Sequence, residues 1–261
     1  MKPVLEVQEL SQDFGGLRAL NELSLTVNSG EIVALIGPNG AGKTTFFNCV
    51  TGIYTPTEGK MFLHDSQGEP RLLNGKKPHA ITAMGMARTF QNIRLFGDMT
   101  VLENVMIGRH CRTRAGVVGA ILRDGRTRRE EQESIDASYA LLELVRLQDF
   151  WNEAARNLPY GAQRRLEIAR ALATEPHMLL LDEPAAGMNP QETNELKELV
   201  CSIRDDQQLS ILLIEHDMGM VMSLSDRIYV MEYGSCIATG KPEEIRANPR
   251  VIKAYLGESD A

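Results

Sequence analysis

Gly37-Pro38-Asn39-Gly40-Ala41-Gly42-Lys43-Thr44 is the stretch on which the fold turns. It fits G-x-x-x-x-G-K-[ST] at every fixed position. The glycines let backbone N–H groups turn inward and surround phosphates. Lys43 supplies positive charge at the β- and γ-phosphates, and Thr44 offers a hydroxyl to Mg²⁺. The helix expected over Thr44 to Val50, ended by Gly52, aims its positive end at the same anion. A buried strand should precede such a loop, and Glu31-Ile32-Val33-Ala34-Leu35-Ile36 is continuously apolar after Glu31. That is how a strand covered on both faces of a parallel sheet reads.

Two further segments repeat that signature. Met178-Leu179-Leu180-Leu181 ends in Asp182-Glu183, and Ile211-Leu212-Leu213-Ile214 ends in Glu215. Polar groups at the C-terminal ends of such strands mark ligand sites in open α/β sheets. Asp182 is placed to hold Mg²⁺ through water, and Glu183 to act as general base on an attacking water. Leu23, Leu25 and Val27 alternate with polar residues, as in a half-buried strand. Leu196, Leu199, Val200 and Ile203 share a helical face behind an Asn189, Pro190, Glu192 start. Ile135, Tyr139 and Leu142 form another helical stripe. Residues 227–231 and 236–238 read as short strands around a turn at 232–235. Two Pro-initiated helices follow, at Pro242 and Pro249. Residues 92–158 lack the buried-strand pattern and read as helical, a candidate insert within the α/β core.

Composition narrows the alternatives. The chain has 261 residues, Lys+Arg 28, Asp+Glu 35 and a formal charge of -7. That argues against a surface built throughout for nucleic acid. No apolar run approaches the ~18 residues of a membrane span. The N-terminus carries no signal-type apolar segment, so the expectation is a cytoplasmic protein. Cys49, Cys111, Cys201 and Cys236 lie far apart and form no CxxC pair, which reads as reduced and free of metal. Seven arginines between residues 109 and 129 stand against one acidic residue, Asp124, and flank an apolar run at 115–122. A solvated loop, a nucleic-acid patch and a contact with anionic lipid headgroups are all compatible with that pattern. The absence of aromatic residues there and the negative net charge weigh against nucleic acid.

Four more segments resemble the ATPase subunits of ABC transporters. Thr89-Phe90-Gln91 looks like the Q-loop, and Leu158-Pro159-Tyr160-Gly161-Ala162-Gln163 looks like the signature segment opening its helix. Glu215-His216-Asp217 looks like the switch-histidine segment, and Phe14 matches the aromatic position that stacks on adenine. Order and spacing agree over essentially the whole chain. The wording of these segments, with the run from Asn248 to Gly257, looks like the longer ATPase of branched-chain amino-acid uptake systems. Relatives that power lipopolysaccharide export share much of it.

The resemblance implies an α/β fold: a P-loop NTPase (RecA-like) core with an antiparallel β subdomain and an inserted α-helical subdomain. The implied divisions are 1–91 and 159–240 for the core, 92–158 for the helical subdomain and 241–261 for a helical tail. It implies that ATP is bound by Phe14, Gly37, Pro38, Asn39, Gly40, Ala41, Gly42, Lys43, Thr44, Thr45 and Asp182. Glu183, His216 and Gln91 would be catalytic, and Thr44, Gln91 and Asp182 would hold Mg²⁺. Tyr160, Gly161, Ala162 and Gln163 would contact the ATP of a second ATPase subunit, identical or not, packed head to tail. Integral membrane permease subunits and, indirectly, a periplasmic substrate-binding protein would be partners, with this subunit peripheral on the inner face of the cell membrane. No nucleic acid is expected.

The signature departs from L-S-G-G-Q. Pro159 stands at the serine, with neither hydroxyl nor N–H, and Tyr160 stands where glycine is common. Asn189 replaces an aspartate usual after the Glu183 loop. Other functions compatible with the sequence are urea or amide import, lipopolysaccharide export, an ATPase on DNA or ribosomes, and a weakly hydrolytic regulatory subunit.

Overall fold

The computed structural model describes residues 2–111 and 125–256, and the side chains of residues 125–128 and 256 fall outside that description. Its centre is a six-stranded sheet ordered β10(Ser235–Gly240), β9(Arg227–Glu232), β3(Ile32–Ile36), β8(Ser210–Ile214), β7(Met178–Asp182) and β6(Met86–Arg88). The five strands from β9 to β6 are mutually parallel, and β10 returns antiparallel on the edge. Every residue of β3, β7 and β8 is buried. That is why these segments read as unbroken apolar runs rather than as alternation. In register, Leu35 faces Ile214 and Asp182 faces Ile214, so three strands end at one level.

A second, antiparallel sheet is ordered β2(Leu17–Asn28), β1(Pro3–Phe14), β4(Glu58–His64) and β5(Pro70–Leu72). Leu23, Leu25 and Val27 of β2 point into the core with Leu5, Val7 and Leu10 of β1. Helix α1(Lys43–Val50) buries Phe46, Phe47 and Val50 in that same cluster, between the two sheets.

The remaining helices cover the other face of the large sheet, except the first of them, whose Ile81 joins the cluster on the α1 side. These are α2(Pro78–Ala83), α3(Val101–Arg109), α4(Gly125–Leu144), α5(Tyr160–Leu172), α6(Pro190–Gln207), α7(Met218–Leu224), α8(Pro242–Arg246) and α9(Pro249–Leu256). Between residues 92 and 158 the regular structure described is helical, apart from one bridge between Thr100 and Ala154. Val101 and Val105 of α3 and Leu142 of α4 join Leu166 of α5 and Leu179 of β7 in one cluster. The apolar run at 115–122 and Arg112, Arg114 and Arg123 lie outside the described residues, as do the side chains of Arg126 and Arg128.

One expected face is rotated. Tyr139 is exposed and Ile135 only partly covered, whereas Ser134, Ser138 and Leu142 are buried. The inward stripe of α4 therefore runs i, i+4, i+8 through two serines. Small side chains allow a close approach that the bulky stripe does not, so burial here follows packing distance rather than hydropathy. The start of α6 is as expected. Asn189 Oδ1 accepts from the backbone N–H of Gln191 and Glu192, and Glu192 reaches back to the Asn189 N–H. Replacing Asn189 with alanine should cost about 1 kcal/mol of stability, read from urea denaturation at unchanged m-value.

Candidate active site

The C-terminal ends of β3, β6, β7 and β8 deliver four loops to one edge of the sheet. The first is the phosphate loop. Gly40 and Gly42 take left-handed φ of 80° and 99°, and a Cβ at Gly42 would meet the Ala19 carbonyl at 2.6 Å. No side chain caps α1 and its first turn carries no acidic residue, so its leading N–H groups face the loop. Lys43 Nζ spans the loop and donates to the carbonyls of Gly37 (2.6 Å) and Pro38 (3.0 Å). Burial pushes the Lys43 ammonium below its ordinary pKa, opposed by the nearby charges of Glu183 and Asp182.

The other three loops meet at Glu183. Its Oε2 accepts from Gln91 Nε2 at 2.8 Å, and its Oε1 lies 2.9 Å from His216 Nε2. Three residues that are far apart in sequence thus share one carboxylate. Glu183 sits at φ 48°, and its N–H is tied to the Ile214 carbonyl at the end of β8. Behind it, Glu215 is buried and accepts from the N–H groups of Ala185, His216 and Asp217. Burial raises the Glu215 carboxyl above the usual range, those backbone bonds lower it, and the Glu183 charge adds to the rise.

A cleft of about 640 Å³ opens over these groups. Asn39, Gly40, Ala41, Gly42, Lys43, Thr44 and Thr45 form its floor, with Gln91, Glu183 and His216 on one side. Phe14 stands at the other end, half-exposed, with its ring edge-on to Tyr54 at 5.2 Å between centroids. Leu17, Arg18, Ala19 and Tyr233 complete that end. Gly37, Pro38 and Asp182 are not among its lining residues. Tyr160, Gly161, Ala162 and Gln163 are not among its lining residues either. Gly161 is buried, and a Cβ there would meet Glu192 Oε1 at 2.6 Å.

Asp182 has a partner that sequence reading did not supply. Arg88, the last residue of β6, donates to Asp182 Oδ2 at 2.7 Å, with both side chains almost fully buried. The same guanidinium reaches Asn48 Oδ1 and Thr51 Oγ1 at the end of α1 and lies over the rings of Phe47 and Phe90. Tyr255 of α9 was also missed. Burial lifts its phenol to about 12, against a backbone hydrogen bond from Gly37. Arg88 directly precedes Thr89 and Tyr255 lies in the run from Asn248 to Gly257, but only the tertiary pairing discloses their partners. The donor set of Thr44, Gln91 and Asp182 is all oxygen with a single carboxylate. That suits Mg²⁺, which keeps its waters and leans on substrate phosphates rather than on a protein cage. Among the described residues no group of three or more His, Cys, Asp or Glu could hold a metal alone.

Residues 20–186 match the family model described as ABC transporter. The chain belongs to the ABC transporter ATPase family. A second model, described as branched-chain amino acid ATP-binding cassette transporter, matches residues 235–261. The high-affinity branched-chain amino acid transport ATP-binding protein LivG of Salmonella typhimurium is 50% identical over 99% of both chains. The corresponding protein BraF of Pseudomonas aeruginosa is 47% identical, again over 99% of both. The crystal structure of the ADP conformation of an ABC transporter ATP-binding cassette superposes with a TM-score of 0.83 at 29% identity, covering 99% of this chain and 100% of that one. A nucleotide-free ATP-binding cassette gives the same TM-score at 31% identity over 98% and 100%. The ABC ATPase fold, a P-loop NTPase core, is the one the sequence implied, and nucleotide binding and ATP hydrolysis come with the family.

Two outcomes follow from the geometry of this ABC ATPase. Arg88→Met leaves the Asp182 carboxylate buried without its cation and should lower stability by about 3–5 kcal/mol, measured by urea denaturation. Glu215 titrates higher in the folded chain than its ordinary 4.5. The native state therefore holds more proton at this site than the unfolded chain, and its contribution to stability falls as pH rises from about 4.5 through the raised value. Glu215→Gln should remove that slope, seen as the difference between the wild-type and variant pH–stability curves.

Proposed function

We propose that this chain is the ATP-hydrolysing subunit of an importer for branched-chain or related amino acids, acting on permease subunits at the inner face of the cell membrane. The observation that carries the hydrolytic reading is the Glu183 carboxylate held between Gln91 and His216 beside the phosphate loop. A carboxylate fixed from both sides has its free lone pairs aimed rather than averaged, as a general base needs. The transport reading is supported by full-length similarity to the branched-chain amino-acid proteins and by the match over residues 235–261.

In this reading Phe14 takes the adenine face. The N–H groups of residues 39–45 and Lys43 hold the β- and γ-phosphates, replacing the two carbonyls that Lys43 bonds. Thr44, Gln91 and Asp182 are the residues that would hold Mg²⁺. When bound, the ion neutralises charge between the two outer phosphates. Arg88 fixes Asp182 from behind and leaves its other carboxylate oxygen for the metal's water. Glu183 accepts the proton of the attacking water, while His216 and Gln91 orient water and γ-phosphate. Hydrolysis waits for a second subunit, whose Tyr160, Gly161, Ala162 and Gln163 approach across the cleft. Pro159 caps α5 without a side-chain acceptor or donor. The contact then rests on backbone N–H groups and the helix dipole rather than on a serine hydroxyl.

The permease surface in this reading is a groove of about 460 Å³ beside the Q-loop, lined by Phe90, Arg94, Phe96, Ile107 and Arg170. It joins the segment that follows Gln91 to the helical region, so a push on one is felt by the other. Closure of the paired subunits would then be the step that ties hydrolysis to transport.

Glu183→Gln should lower kcat at least a hundredfold while nucleotide binding persists, and should accumulate an ATP-bound dimer on size-exclusion chromatography. Unchanged turnover would remove Glu183 from the role of base. Phe14→Ala should raise KM for ATP about tenfold, the worth of one stacked base, with kcat little altered. Uptake of labelled leucine, isoleucine and valine by cells lacking and regaining this chain tests the cargo. Restoration of urea or amide uptake instead would reassign it.

A further inference from the structure

Arg164 is buried on α5, directly after the signature residues and one turn from Tyr160, and its guanidinium is shared among four acceptors. Nη1 donates to the Phe90 carbonyl at 2.7 Å and to Glu167 Oε2 at 3.3 Å. Nη2 donates to the Gln91 carbonyl and, at 2.9 Å, to the hydroxyl of Tyr160. Glu167 is equally buried and accepts at Oε1 from the Arg94 backbone N–H at 2.7 Å. Arg170, a turn further on, bonds the Arg94 carbonyl and stands 3.8 Å from the same carboxylate. Burial pushes the Glu167 carboxyl above its ordinary range against the two arginines and the Arg94 N–H.

None of these contacts is between side chains of two loops. The four contacts that reach the Q-loop segment all fall on the main chain of residues 90, 91 and 94, so the cluster reads the path of the loop rather than its sequence. An i, i+3 Arg–Glu pair on a solvated helix is worth a few tenths of a kcal/mol and specifies nothing. Buried, it is a different object. The charges are tolerated only while each keeps its hydrogen bonds, so the loop must hold one path. Tyr160 extends the same cluster. A Cβ at Gly187 would lie 3.2 Å from the Tyr160 ring, placing the ring against the loop that follows Glu183.

We propose that Arg164 and Glu167 are positioning residues that clamp residues 90–94 to the signature helix, so that Gln91 and the N-terminus of α5 move as one body. Gln91 reaches the nucleotide held by its own subunit, and the start of α5 reaches the nucleotide held by the other. The clamp makes the two contacts rise and fall together. It rests on the reading of Gln91 as part of the hydrolytic site.

Lysine at 164 keeps the charge but concentrates its donors on one nitrogen, so it cannot span Phe90, Gln91, Glu167 and Tyr160 at once. In the purified full chain, Arg164→Lys should lower kcat for ATP hydrolysis about tenfold with KM for ATP within twofold. The same substitution in a Gln91→Ala background should cause no further loss, because both act through one group. Multiplicative losses, or a raised KM at unchanged kcat, would overturn the proposal. Amide hydrogen exchange gives an answer that does not depend on turnover. Arg164→Lys and Glu167→Gln should each speed exchange at Arg94 about tenfold or more while the amides of β7 and β8 hold their protection. Unchanged exchange at Arg94 rules the clamp out. If Gln91→Ala itself leaves turnover intact, the reading of Gln91 falls, and the exchange result alone decides the clamp.

Discussion

A parallel strand buried on both faces has no freedom of register, and the active site depends on that. β3, β7 and β8 bury every residue, so a slip of one residue would exchange two packed faces at once. The ends of the strands are therefore fixed points. The phosphate loop leaves β3, Asp182 and Glu183 leave β7, and Glu215 and His216 leave β8, all at one edge. Gln91 comes from beyond β6, the outermost of the parallel strands. Gln91 and His216 come within 3 Å of the Glu183 carboxylate because the sheet fixes where all three chain segments emerge.

Around that edge the polar groups are held by buried charge. Arg88 ties Asp182 to the end of α1, and Arg164 ties the Q-loop backbone to α5. Each guanidinium serves several acceptors in fixed directions, which ammonium groups cannot do. The two arginines flank the segment Thr89-Phe90-Gln91, one from the nucleotide side and one from the helical side. Phe90 carries both relations, since the Arg88 guanidinium lies over its ring and Arg164 bonds its carbonyl.

The sheet and the phosphate loop were legible in the sequence because both are local. Unbroken apolar runs identify doubly buried strands, and fixed glycine spacing identifies the loop. The acid residues at strand ends followed from position alone. The face of α4 was misread because hydropathy favours Ile135 and Tyr139, whereas the close approach of helices selected Ser134 and Ser138. The partners of Arg88 and Tyr255 were not legible, since they lie 94 and 218 residues away. The i, i+3 spacing of Arg164 and Glu167 is one that solvated helix surfaces commonly carry. Only its burial gives it meaning.

Position 183 illustrates what folding and chemistry ask separately. Its backbone is left-handed, at φ 48°, a conformation that costs a side-chain-bearing residue about 1 kcal/mol or more. Judged by conformational energy alone, the site would belong to glycine, and a glycine chain would be the more robust one. The glutamate persists there as a standing loss of stability. Selection for thermal endurance alone would erode the reaction before it touched the fold.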